Sequence, residues 1–146
     1  MREGQLKKNL LLAMLLMLAT MTFAACSVKT NTDAQTDTFK TKSGKEITFS
    51  AIKHGSIRIT FDSREIEVDP VCQLKPVTDY GKIPQADYIF VTHEHFDHCD
   101  TVAIRQLEKP TTVIVTNANC AKIIDKGRVM HNGEQLRLAD DITVDA

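Results

Sequence analysis

Between residues 46 and 69 the chain alternates apolar and polar side chains, the period of a strand with one face in a core. "EITFSA" sets Ile47, Phe49 and Ala51 on one side, "SIRITF" sets Ile57, Ile59 and Phe61, and "IEVDP" sets Ile66 and Val68 before Pro70 ends the run. "DSRE" can turn the chain between the second and third runs. Three such runs in succession predict an antiparallel meander. The pattern then changes. "ADYIFVT" and "TTVIVTN" are nearly continuous apolar runs, as in central strands covered on both faces. Between them, "DTVAIRQLEK" spaces Val102, Ala103 and Leu107 for a helix that Asp100 or Thr101 caps and Pro110 stops. "ANCAKIIDKG" predicts a second short helix closed by Gly127. Asn132-Gly133 between two apolar runs is a hairpin signal, and "DDITVDA" begins one more strand. "VCQLKPVTDYGKIP", with two prolines and a glycine, reads as a loop. The order of elements predicts a mixed α/β layered domain over residues 46–146.

The first 25 residues have a different character. Arg2, Lys7 and Lys8 precede the apolar run "LLLAMLLMLATMTF" and then "AAC", the pattern of a secretory signal peptide. The run is short for a membrane span of roughly 20 residues. "FAAC" resembles a bacterial lipobox, in which Cys26 becomes the lipidated first residue, although Phe23 replaces the usual Leu. Ordinary cleavage or an uncleaved anchor are the alternatives. Lipid chains on Cys26 would hold the protein at a membrane, each buried methylene contributing about 0.8 kcal/mol. Residues 26–45, rich in Thr, Ser, Lys and Asp, then read as a flexible tether. The expected location is the bacterial cell envelope, exported and lipid-anchored. Ser27, rather than the Asp associated with inner-membrane retention, leaves the periplasmic side and the outer membrane both open.

Bulk composition narrows the function classes. The net charge is −1, aromatic residues make up 5% and Trp is absent, so no nucleic-acid partner is expected. Neither nucleotide-binding Gly-rich loop occurs. Cys72, Cys99 and Cys120 lack the paired spacing of a zinc finger and read as small buried side chains.

The chemistry is concentrated in "THEHFDHCD", residues 92–100, directly after the apolar run "DYIFV". His93 and His95 stand at i and i+2, followed by Asp97 and His98. Imidazole and carboxylate suit zinc, and also manganese or iron. One turn can aim His93 and His95 at one ion and Asp97 and His98 at a second. Two close cations lower the pKa of a shared water and polarise a carbonyl or phosphoryl oxygen. A His-rich surface loop without a metal is the bland alternative.

These residues resemble a family. "THEHFDH" is similar to the HxHxDH signature of the metallo-β-lactamase superfamily, and "IKHGSIRI", "IEVDP", "GEQL" and "ITVDA" continue the resemblance over about residues 46–146. The branch it looks like includes L-ascorbate-6-phosphate lactonase-like proteins. The resemblance implies an αββα fold, of which this chain is the N-terminal half, and a metal-dependent hydrolase of a small-molecule substrate. It implies one or two zinc ions, with manganese or iron as substitutes. His93 and His95 would hold the first metal, Asp97 and His98 the second, and Asp97 would also assist proton transfer. Asp69 would lie near the metals and fix a ligand imidazole, or else simply end its strand. His54 is read as structural, His131 as exposed, and Cys99 is given no role. The family takes further ligands from later sequence, and none can be placed after His98. The expectation is therefore a fragment, inactive alone. A non-catalytic, membrane-anchored lipoprotein binding module is the alternative. Substrate and oligomeric state are left open.

Overall fold

A computed structural model of the protein describes residues 35–146. The expected signal peptide, Cys26 and the tether up to residue 34 lie outside the described residues. Seven strands form one sheet in chain order: β1 (Gln35–Lys40), β2 (Glu46–Lys53), β3 (Ser56–Phe61), β4 (Arg64–Val68), β5 (Tyr88–Val91), β6 (Val113–Thr116) and β7 (Arg128–Val129). The first four pair antiparallel; β4 through β7 pair parallel. Two helices, α1 (Thr101–Leu107) and α2 (Ala118–Ile124), make the parallel crossovers. The hairpin β8 (Gln135–Ala139) and β9 (Ile142–Asp145) stands as a separate two-stranded sheet.

The meander of alternating runs is present as β2–β3–β4. Asp62 and Ser63 turn the second connection with φ of 50° and 62°, the left-handed pair that matches strand twist in a two-residue hairpin. β5 lies between β4 and β6, as its apolar run predicts. Its two faces differ, however. Ile89 and Val91 are buried under the helices, whereas Tyr88 and Phe90 on the other face are only partly covered.

Three expectations are corrected. Residues 35–40 were expected within the tether but form β1, antiparallel to β2, with all six residues exposed. An exposed edge strand needs no apolar run. Its backbone ladder and the cross-strand pairs Thr36–Ser50 and Thr38–Thr48 hold it instead. Asn132-Gly133 does not close a hairpin. Val129 and its neighbour extend the large sheet beside β6, and the hairpin forms one step later, around Asp140 and Asp141. Arg64 and Lys45 bind Asp141 at 2.7 and 3.4 Å, so that turn is docked by charge. Finally, α2 is closed by Asp125 in the left-handed conformation (φ 60°), two residues before Gly127.

The core lies between the parallel half of the sheet and the helices. Ile89, Val91 and Ile114 from the strands meet Ala103, Ile104, Leu107 and Cys120 from the helices, with Tyr80 and Ala86 from the β4–β5 connection. Full burial of each large apolar side chain contributes about 1.5–3 kcal/mol. Strand alternation places Phe39, Phe49 and Ile57 on the opposite face, where they are exposed. This packing pins the carboxyl ends of β4 and β5 side by side, and the chemistry sits there.

Candidate metal centre

The His-rich segment leaves the carboxyl end of β5, where parallel sheets place ligand sites. His95 O accepts from His98 N at 2.9 Å and Cys99 N at 2.8 Å, which folds residues 95–99 into a tight turn. Asp100 then caps α1, accepting from Val102 N and Ala103 N at 2.8 and 3.2 Å. Its other oxygen takes Cys72 N at 3.0 Å and the Cys72 thiol at 3.1 Å, tying the loop after β4 to the start of α1. On the opposite side, the Glu94 carboxylate accepts from Asn117 and Asn119 at 3.1 and 2.8 Å. These amide bonds pull its pKa down to about 2. Phe96, at the tip of the turn, is 78% exposed.

Held in this way, the turn gathers its imidazoles. The ring of His93 lies 4.6 Å from that of His95 and 4.0 Å from that of His98. His98 Nε2 is 3.9 Å from Asp97 Oδ2. All four residues singled out in the sequence therefore share one small region. A fifth joins them from outside the segment. His54, on the β2–β3 turn, places Nε2 2.9 Å from Asp97 Oδ2. His54, Asp97 and His98 each offer a ligand atom within 4.8 Å of the other two. From the sequence His54 is expected to be structural, because a single isolated His carries no spacing signal that would show this contact. His131 is exposed beside the turn before β8.

Asp69 is the hub beneath the histidines. It is buried at the end of β4, with φ at 44°. Oδ1 accepts from Thr92 N at 2.7 Å, and Oδ2 accepts from Thr92 Oγ1 at 2.7 Å and from His98 Nδ1 at 2.8 Å. A carboxylate only accepts, so His98 carries its proton on Nδ1 and leaves Nε2 as a lone pair. The same logic reaches His93. The single Thr92 hydroxyl proton goes to Asp69, so Oγ1 accepts from His93 Nδ1 at 2.9 Å. Asp69 thus sets both tautomers, and the Nε2 lone pairs of His93 and His98 remain available for a cation.

The donor set fits a divalent ion of the zinc type: imidazole nitrogens with defined tautomers beside a carboxylate. The three cysteines are not part of it. Cys72, Cys99 and Cys120 are buried and free. Burial raises the Cys72 thiol to about 11, and burial together with neighbouring Cys120 raises Cys99 to about 12, so both stay protonated at neutral pH.

Comparison with known proteins identifies the family. Residues 64–144 match the model of the beta-lactamase superfamily domain, and the chain belongs to that superfamily. A solved structure, "putative metal-dependent hydrolase" from Parabacteroides distasonis ATCC 8503, is 49% identical and superposes with a TM-score of 0.66. The match covers 70% of this chain and 45% of that one. This chain therefore spans less than half the length of that relative. No curated protein matches it.

Proposed function

We propose that this chain carries the metal-binding loop of a metal-dependent hydrolase acting on a small molecule, with His93, His95, Asp97 and His98 as ligands. Asp69, through Thr92 and directly, orients His93 and His98. The carrying observation is the shared carboxylate of Asp69, whose bonds to Thr92 and His98 leave the Nε2 lone pairs of His93 and His98 free, that of His98 3.9 Å from Asp97 Oδ2. Such orientation has little use in a His-rich surface loop. The name of the solved relative adds support.

When bound, one or two ions, with zinc first and manganese or iron as substitutes, supply a water of near-neutral pKa and a Lewis acid for the scissile group. The protein's own contribution is orientation and proton handling. Asp69 and Thr92 keep His93 and His98 in the tautomers that can ligate. Asp97, on the same turn, holds a carboxylate near His98 Nε2 and takes up the proton released in hydrolysis. We further propose that the protein is exported and lipid-anchored at Cys26. The support is the basic, apolar and small-residue order of residues 1–26.

Elemental analysis of the purified chain tests the metal assignment. Near-stoichiometric zinc, manganese or iron in the wild type and its loss in His95→Ala are expected. A His95→Ala protein with unchanged metal content would overturn the ligand set. Assay of a lactone and phosphodiester panel then separates a hydrolase from a binding module. Mass analysis of membrane-fraction protein, expecting acyl mass on Cys26, tests the anchor.

A further inference from the structure

His54 comes from the β2–β3 turn, far in sequence from the His-rich segment, and the contact it makes is specific. Its Nε2 is at hydrogen-bonding distance, 2.9 Å, from Asp97 Oδ2, and its ring stands edge-on 5.0 Å from that of His98. Among the described residues no other side chain reaches the Asp97 carboxylate at that distance; His98 Nε2 stays at 3.9 Å. The turn is shaped for the approach. His54 holds φ at 46°, a region that few L residues enter. At Gly55 an added Cβ would lie 2.9 Å from His98 Cε1, so the turn is pressed against the neighbouring ligand. His54 is nonetheless 46% exposed, so burial does not account for its conformation.

We propose that His54 is a positioning residue for the metal loop: it donates Nε2–H to Asp97 Oδ2 and fixes the carboxylate against His98. The proposal rests on the reading that Asp97 and His98 hold a metal. The 2.9 Å nitrogen–oxygen separation is within hydrogen-bond range, so a proton on Nε2 can be shared with the carboxylate. In this role His54 acts through Asp97; it also offers a ligand atom within 4.8 Å of those of Asp97 and His98, close enough to share an ion, and the double variant below separates the two roles. A partly exposed carboxylate on a turn would otherwise sample several rotamers, and each metal-binding event would have to order it. Partners that orient a ligand in this way typically change metal affinity by about 10- to 100-fold.

The test uses the full chain and zinc alone, with affinity read by competition against a chromophoric chelator. His54→Ala is expected to weaken zinc binding by about 10- to 100-fold. His54→Gln, whose amide can donate to the same carboxylate, should recover most of the loss. His54→Asn tolerates the left-handed turn but is too short to reach Asp97, so it should behave like His54→Ala. That variant separates loss of the contact from loss of the turn. In an Asp97→Ala background, His54→Ala should cause no further loss. Wild-type affinity in His54→Ala overturns the proposal. So do losses that multiply in the double variant, since these would make His54 an independent ligand. A wild-type chain that binds no zinc overturns the metal-loop reading itself, and is seen before any His54 variant is compared.

Discussion

Asp69 Oδ2 lies 2.8 Å from His98 Nδ1, joining the end of β4 to the turn after β5 by a partly buried, charge-assisted bond. The two residues are 29 positions apart and meet because β4 and β5 are neighbouring parallel strands. The same carboxylate holds Thr92, so one side chain serves both the sheet and the site.

Asp69→Ala should therefore fail in two measurable ways. Zinc affinity should fall by about 10- to 100-fold, because the tautomers of His93 and His98 are no longer set. Stability should fall by about 1–3 kcal/mol, because Thr92 N loses its acceptor. Chelator competition and urea denaturation read the two effects separately. A variant that loses stability while zinc affinity is unchanged would remove Asp69 from the site.

Gly55→Ala tests the close approach of the β2–β3 turn. The new methyl would sit 2.9 Å from His98 Cε1 and 3.3 Å from Nδ1. The imidazole cannot swing away without losing Asp69. Overpacking of this kind costs about 1–3 kcal/mol. The denaturation midpoint should drop, and the His98 ring resonances should shift more than those of His131.

Glu67 gives the protein a distinctive dependence on pH. It is fully buried on β4, and burial raises its carboxyl to about 7 despite Arg58 Nη1 2.7 Å from Oε1. Between its ordinary pKa of 4.5 and about 7 the folded state binds the extra proton. Stability should therefore fall as pH rises through that window, by on the order of 3 kcal/mol in all, and level off above it. Glu94, Asp87 and Asp100, all lowered, act in the opposite sense and lose their contributions as pH falls below the ordinary carboxylate range. A stability maximum near the acidic end of Glu67's window follows. Glu67→Gln should flatten the decline toward neutral pH in urea titrations; an unchanged slope would refute the assignment.

The three buried thiols should be inert in the native state. Cys72 and Cys99 are held protonated, and Cys120 is completely buried. Labelling with a thiol reagent at pH 7 should leave all three unmodified until denaturant is added. Fast native-state labelling of Cys99, next to His98, would place its sulfur at the surface.

Much of this molecule is written locally. The meander is legible because Ile47, Phe49, Ile57 and Ile59 alternate, and alternation needs only a face to bury. The cap at Asp100 and the parallel strands on either side of α1 follow from equally local chemistry. The clustering in the His-rich loop is legible because His93, His95, Asp97 and His98 lie within one short segment, so their spacing brings their side chains together. β1 was hidden, since an exposed edge ladder of threonines resembles a solvated tether. The hairpin was misplaced, since the two-residue β7 pairs with β6 through backbone atoms that carry no side-chain signal.

By itself, then, the chain's order of residues determined the layered α/β class, the family and the four histidine and aspartate side chains of the loop. Only the tertiary structure decided which other groups meet them. Asp69 and His54 reach the loop from β4 and from the β2–β3 turn, and their contacts depend on strand order and on the left-handed φ of both residues. A hydrogen bond across the sheet depends on the packing of the whole sheet, so neither the tautomers of His93 and His98 nor the partner of Asp97 could be read from spacing.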